Sequence, residues 1–347
     1  MRRYLILILL MLSPLQVAAA GSQGDEDETV RRVTVRVDLS GDMKGRARLW
    51  LPYPVSDAIQ TISDISVQGN MEGWSVYTDG RWGNAMLYAW WPDGKPSRTL
   101  VFSFTVRRSI RSDSPDAARG GVCLDRTFFY QYLQGSDLAP VTGSVAALAG
   151  RIVSGRGSVT EKARAVYDWV ADNMRRDPGV TGCGSGSVCV LLDRRRGKCA
   201  DIHSVFVALL KAAGIPAREV FGLRLGGENR VDITGWQHCW AEFYVPGSGW
   251  VVADPGDYLK ALLTRSLSPA SEEARRIREY YFGKVDSRRV KFGSGRDVVL
   301  NPPQEGGPLN YFMYPYAEAG GKAVDFLNPQ TFSYHITSEP VAGQGEK

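Results

Sequence analysis

The chain has little that would let it work through a membrane, a nucleic acid or a bound ion. Outside the short apolar run Tyr4 to Leu12, no stretch of its 347 residues approaches the ~18 apolar residues that a membrane helix needs. No basic run exceeds Arg194-Arg195-Arg196, and neither that run nor Arg288-Arg289 is interleaved with aromatics. Both therefore read as solvated faces, and nucleic-acid binding is unsupported. Acidic and basic residues are mixed, 37 against 42, for a formal charge of +5. No Asp-x-Asp-x-Asp-Gly calcium loop and no internal repeat is present. With only three histidines (His203, His238 and His335), the imidazoles available for chemistry are few. Five cysteines are too few for a disulfide-dense scaffold, and an odd number leaves at least one without an intrachain partner. With 44% hydrophobic and 23% charged residues, the composition excludes disordered and collagenous classes, and the length fits about two domains.

What is present begins with Met-Arg-Arg, the apolar run and a small-residue end, Ala18-Ala19-Ala20. That order predicts a secretory signal peptide over 1–20 and an exported, periplasmic or secreted protein with no stable membrane span after cleavage. The polar, acidic stretch 21–28 reads as a disordered lead. Val33, Val35, Val37 and Leu39 then alternate with polar residues, as do Leu100, Phe102, Phe104 and Val106. Residues 29–112 are therefore expected to form an antiparallel β domain, with a linker over Ser112 to Gly121. Thr160 is placed as the cap of a helix whose buried face is Ala163, Val166, Tyr167, Val170 and Met174. A second helix is expected from Cys199 to about Ala213, stopped by Gly214 and Pro216. Strands follow at Arg218 to Leu225, His238 to Val245 and Trp250 to Ala253, giving an α+β segment over 123–265. The extension 266–347 opens with a helical stretch, Ser268 to Tyr281, and continues in aromatic-rich strands.

Cys199 stands in Gly197-Lys198-Cys199-Ala200-Asp201, at the expected start of a helix. Peptide N–H groups, the positive end of the helix dipole and the charge of Lys198 all favour its thiolate. His238 opens a strand that turns at Pro246 to Gly249 and returns to Asp254. A carboxylate on the adjacent strand can hold an imidazole in one tautomer and stabilise its cation. This works only if paired residue numbers sum to an even value. Tyr244 opposite Trp250 puts Asp254 opposite Trp240, one diagonal step from His238.

Gly197-x-Cys199-x-Asp201, Ala213-Gly214-Ile215-Pro216-Ala217-Arg218, His238-x-Trp240-x-Glu242, Gly249-Trp250 and Asp254-Pro255 resemble, in order and spacing, the core of the transglutaminase-like superfamily. Trp50-Leu51-Pro52-Tyr53-Pro54 resembles the β domain before that core in bacterial members, and Gly295-Arg296-Asp297 and Tyr314-Pro315-Tyr316-Ala317-Glu318 resemble segments after it. The resemblance implies an α+β fold: a papain-like transglutaminase core preceded by an antiparallel β-sandwich and followed by a β-rich C-terminal extension. It implies Cys199 as nucleophile, His238 as general base and acid, and Asp254 as orienter. The thiol enzyme so implied forms a thioester on peptide or amide bonds, with hydrolysis favoured over amine cross-linking, takes a protein or peptide substrate, and needs no cofactor or metal. The competing expectation is a non-catalytic binding or assembly module on the same fold. The Cys199 N–H is the expected oxyanion donor, with Gln237 and Trp169 as guesses for the second.

The remaining residues have plainer expectations. Cys183 and Cys189, with five residues between them in a Gly/Ser-rich loop, are read as a small disulfide, the rival being zinc on Cys183, Cys189, Cys199 and His203. Cys239 is expected to be packed and inert, His203 to pack in the helix interface, Glu242 to serve a structural ion pair, and Trp240 and Trp250 to wall the site. Cys123 has no readable role.

Overall fold

The computed structural model describes residues 28–40, 44–115 and 125–341. The signal peptide and Cys123 lie outside the described residues, as does all of the expected lead except Glu28, which begins the first strand.

The alternating N-terminal residues form two antiparallel five-stranded sheets. One runs in the order Val231–Asp232, Ser333–Pro340, Glu28–Asp38, Thr99–Ser109, Gln60–Gly69. The other runs Lys322–Val324, Tyr316–Ala319, Ala47–Pro52, Ala85–Trp91, Gly73–Thr78. Val33, Val35, Val37, Phe102 and Phe104 from the first and Leu49, Leu87 and Trp91 from the second bury one shared core. Strands from the last thirty or so residues complete both sheets: Ser333–Pro340 pairs along Glu28–Asp38, and Tyr316–Ala319 along Ala47–Pro52.

Between these strands in sequence lies a helical layer on a four-stranded antiparallel sheet, ordered Gly249–Ala253, Gln237–Val245, Ala217–Arg224, Arg289–Ser294. At its centre the helix Cys199–Ala212 is buried from Cys199 through Leu210, the all-round apolar pattern of a core helix. It ends in a Schellman turn, Gly214 N–H to Lys211 O at 2.9 Å and Ile215 N–H to Leu210 O at 2.9 Å, with Gly214 at φ +77°. The helices Gly143–Ile152 and Val159–Asn173 pack beside it. The latter buries the predicted Ala163, Val166, Tyr167 and Val170, but its cap is Ser158, not Thr160. Ser158 and Glu161 form a reciprocal capping box, while the Thr160 hydroxyl donates to Pro115 O instead. The helix Glu272–Tyr280 follows the predicted stretch.

The hairpin takes the even register, with Tyr244 opposite Trp250 and Ala241 opposite Ala253. One element was not foreseen. Asp254 ends the second strand and at once caps a helix, Pro255–Thr264, accepting a hydrogen bond from Asp257 N at 2.8 Å. Asp followed by Pro at the first helical position is a readable start signal.

Candidate active site

The Gly-x-Cys-x-Asp block is a helix start whose parts require one another. Asp201 reaches back, its Oδ2 accepting from Lys198 N at 3.0 Å and its Oδ1 from Gly186 N at 2.9 Å. It thereby satisfies a free N–H at the helix entrance and ties down the glycine-rich loop 179–187. Gly197 must lack a side chain, because a Cβ there would lie 2.4 Å from that of Asp201. The result is Cys199 in the first turn, 2% exposed, at the positive end of a fourteen-residue helix.

Cys199, His238 and Asp254 converge. His238 Nε2 lies 2.8 Å from Asp254 Oδ2 and 3.6 Å from Asp257 Oδ2, and the imidazole stands close enough to Cys199 to act on its thiol. Hydrogen bonds from the Cys183 and Cys239 thiols hold the Cys199 pKa well below its usual value against the effect of burial, and the His238 hydrogen bond and charge add to this. Burial, with the charge of Arg224, works to lower the pKa of His238, but Asp257 and Asp254 outweigh both and raise it. Burial would likewise raise Asp254; the His238 charge and hydrogen bonds from His203 and His238 hold it well below the carboxylate range. A thiolate, an imidazolium and a carboxylate in series can attack a carbonyl and deliver a proton to its leaving group.

Several groups around this line were not expected there. Arg289, assigned to a solvated face, is 0% exposed, with Nη1 2.9 Å from Asp254 Oδ2 and Nη2 3.3 Å from Asp257 Oδ2. It also pairs with Asp286, while Arg224 pairs with Asp257. His203 does more than pack: Nδ1 lies 2.7 Å from Cys199 O and Nε2 3.2 Å from Asp254 Oδ1, so it bridges the carboxylate to the first turn of the helix. Gly256 makes room, since a Cβ there would meet the His203 ring at 2.6 Å. Cys239 is buried but not remote, its Sγ 3.6 Å from His203 Nδ1, and it lowers the Cys199 pKa.

The disulfide expected between Cys183 and Cys189 does not form. Both are free: Cys189 is exposed on the helix Val188–Arg194, while Ala200 N–H to Cys183 O, at 3.0 Å, pins Cys183 inward against Cys199. The zinc set fails with it. Among the described residues, the only cluster with ligand spacing is His238, Asp254 and Asp257, and Arg289 and Arg224 already supply its counter-charge. The Gln237 amide donates one N–H to Thr234 O at 2.9 Å, and the Trp169 ring lies under Arg195 at 4.7 Å. Glu242 has its ion pair, 2.6 Å from Arg218 and against Arg111. Trp240 is buried beside His238, and Trp250 stacks on Arg218 at 4.1 Å.

The segments after the core reach the same place. Arg296 donates to Glu219 at 3.0 Å, to Ser204 and to Gly186 O at 3.3 Å, bracing the glycine-rich loop from behind. Tyr314 Oη sits 3.1 Å from Cys183 Sγ, and Tyr311 donates to Gly184 O at 3.1 Å, so this stretch roofs the thiol.

The transglutaminase-like superfamily model matches residues 146–255, the stretch that holds Cys199, His238 and Asp254. An uncharacterized protein of Haemophilus influenzae is 32% identical over 322 residues, covering 86% of this chain and 87% of that one. The chain belongs to the transglutaminase-like superfamily. A protein-glutamine gamma-glutamyltransferase of Pseudomonas aeruginosa is 38% identical over 84 residues, 22% of this chain and 12% of its own length. The crystal structure of a candidate cysteine protease from Cytophaga hutchinsonii shares the fold of this superfamily member, with a TM-score of 0.58 at 16% identity over 92% of this chain and 94% of that one. The fold is thus that of a thiol-enzyme superfamily. Among the described residues, no helix is long and apolar enough to cross a membrane.

Proposed function

We propose that this chain is an exported cysteine acyl-transfer enzyme acting on peptide or amide bonds, with Cys199 as nucleophile, His238 as general acid and base, and Asp254 as orienter. The observation that carries the reading is His238 held 2.8 Å from Asp254 Oδ2, with Cys199 at the start of its helix, its thiol pKa lowered by neighbours that include His238. The thiolate attacks the carbonyl carbon, the Cys199 N–H steadies the oxyanion, and His238 passes its proton to the departing amine. Water, deprotonated by His238, then releases the acid from the thioester. Hydrolysis is favoured over cross-linking because no second amine site is evident beside the thiol, and the Cytophaga hutchinsonii neighbour is described as a protease; the short match to a glutamyltransferase supports the rival outcome. Export rests on the signal-like residues 1–20.

Incubating a quenched peptide library with the wild type and with Cys199→Ala, with and without a primary amine, tests this. Cleavage and a thioester adduct on Cys199, both absent from the variant, support hydrolysis; incorporation of the amine replaces hydrolysis by transamidation. Neither product, from any substrate, favours the binding-module reading, whose one supporting observation is the near-complete burial of Cys199.

A further inference from the structure

The mechanism above uses one thiol, yet three meet. The Cys183 carbonyl accepts from Ala200 N–H at 3.0 Å, which sets its backbone beside that of Cys199, and Cys183 and Cys239 both act on the Cys199 thiol, lowering its pKa. They do not draw together into a metal-ligand set among the described residues. Their backbones differ in a way that matters. Cys239 lies inside the sheet, laddered to Phe221, so its backbone is fixed. Cys183 lies outside any ladder, between Gly182, at φ +58°, and Gly184, at φ +105°, in a loop braced at Gly184, at Gly186 and through its own carbonyl, so its dihedrals are less constrained than those of Cys239. A disulfide needs Cα atoms about 4.4 to 6.8 Å apart and matched Cβ directions, and the movable partner meets that demand more readily.

We infer that Cys183 is a resolving thiol, which converts peroxide-oxidised Cys199 into a reversible Cys183–Cys199 disulfide. The Cys199 thiolate attacks a hydroperoxide; the O–O bond breaks, an S–O bond forms, and one water leaves with a proton from the His238 imidazolium. Cys183 then attacks the sulfenic sulfur, its own thiol proton departing with the hydroxyl as a second water as the S–S bond forms. The two sulfurs together lose two electrons, and one hydrogen peroxide is reduced to two waters. Until the first step Cys183 stays protonated, because the Cys199 negative charge and burial both raise its pKa. Oxidation removes that charge, so the resolving thiol is released to react only when it is needed. The disulfide blocks the nucleophile while sparing it from irreversible sulfinic and sulfonic acids. Both thiols are nearly fully buried, which admits a peroxide more readily than a bulky disulfide oxidant.

The inference rests on Cys199 being the reactive thiol, but it fails separately from the proposed activity, because it is read on sulfur rather than on substrate. The full chain in a Cys189→Ser background is treated with hydrogen peroxide, blocked with N-ethylmaleimide and digested with trypsin without reduction. This background removes the second cysteine of the tryptic peptide 177–194. The expected result is a linked Cys183–Cys199 peptide, with iodoacetamide reactivity of Cys199 lost and then restored by dithiothreitol. In Cys183→Ser and Cys183→Ala, the same dose gives sulfinic acid at Cys199 and no restoration, while Cys239→Ser still forms the link. A Cys199–Cys239 link, or full restoration in both Cys183 variants, overturns the inference. A Cys183–Cys199 link in a chain that cleaves no substrate upholds it and removes the enzyme reading instead.

Discussion

Arg289 Nη1 lies 2.9 Å from Asp254 Oδ2, both side chains being wholly buried, so the carboxylate behind His238 is shared between an imidazole and a guanidinium. Arg289 opens the strand Arg289–Ser294, some fifty residues beyond His238 in sequence, and this strand completes the sheet that holds the histidine. The site therefore depends on chain outside the 146–255 match.

Arg289→Met should destabilise the fold by about 3–5 kcal/mol, because it leaves Asp254 and Asp257 short of a buried counter-charge. Urea denaturation checks this. A midpoint indistinguishable from wild type would mean that His238 and Arg224 suffice.

How stability depends on pH follows from the directions of the shifts. Asp254 and Asp257 are lowered from 3.8, so their contribution is present above that value and is lost as pH falls through their folded values. His238 is raised from 6.5 and Cys199 lowered from 9.0. Between 6.5 and the raised folded value of His238 the folded pair holds one proton, on the imidazole, and the unfolded pair also holds one, on sulfur. The pair thus adds no slope over that interval. Cys199→Ser removes the compensating sulfur, and its urea midpoint should fall as pH rises from 6.5 toward the folded His238 value, where the wild type stays flat. Parallel curves would contradict the ion pair.

Gly197→Ala should cost about 1–3 kcal/mol through overpacking against Asp201. It should also slow alkylation of Cys199, since the helix entrance must shift to admit the methyl group. Thermal denaturation and mass-resolved iodoacetamide labelling measure the two effects. An unchanged labelling rate would show that the Asp201 tie does not position the thiol.

Asp201→Ala removes the acceptor of two backbone N–H groups, at Lys198 and Gly186, and should cost about 1–3 kcal/mol. Hydrogen exchange at Gly186 should accelerate in the variant. Protection equal to wild type would mean that Arg296 alone holds the loop.

The sequence carried the start of the helix at Cys199 through its local pattern, and the meeting of His238 with Asp254 because side-chain alternation allows only one register parity to bring them together. The two-sheet core was legible in Val33 to Leu39 and Leu100 to Val106 for the same reason. What it did not carry was long-range. Arg289 beside Arg288 has no local mark separating a buried guanidinium from a solvated one. The strands at 316–340 find their partners some 270 to 300 residues upstream. Cys183 and Cys189 read as a disulfide because spacing counts intervening residues, whereas the helix that starts at Val188 turns Cys189 outward. The helix from Pro255 has a local mark, Asp254 as cap followed by proline at the first helical position.

The most direct test of the account is iodoacetamide labelling at neutral pH, resolved by cysteine, in wild type and His238→Ala. Cys199 should react faster than Cys183 or Cys239, because its surroundings favour the thiolate and theirs oppose it, and should lose that lead in the variant. Equal, slow labelling of all three buried thiols, unchanged by His238→Ala, would contradict it.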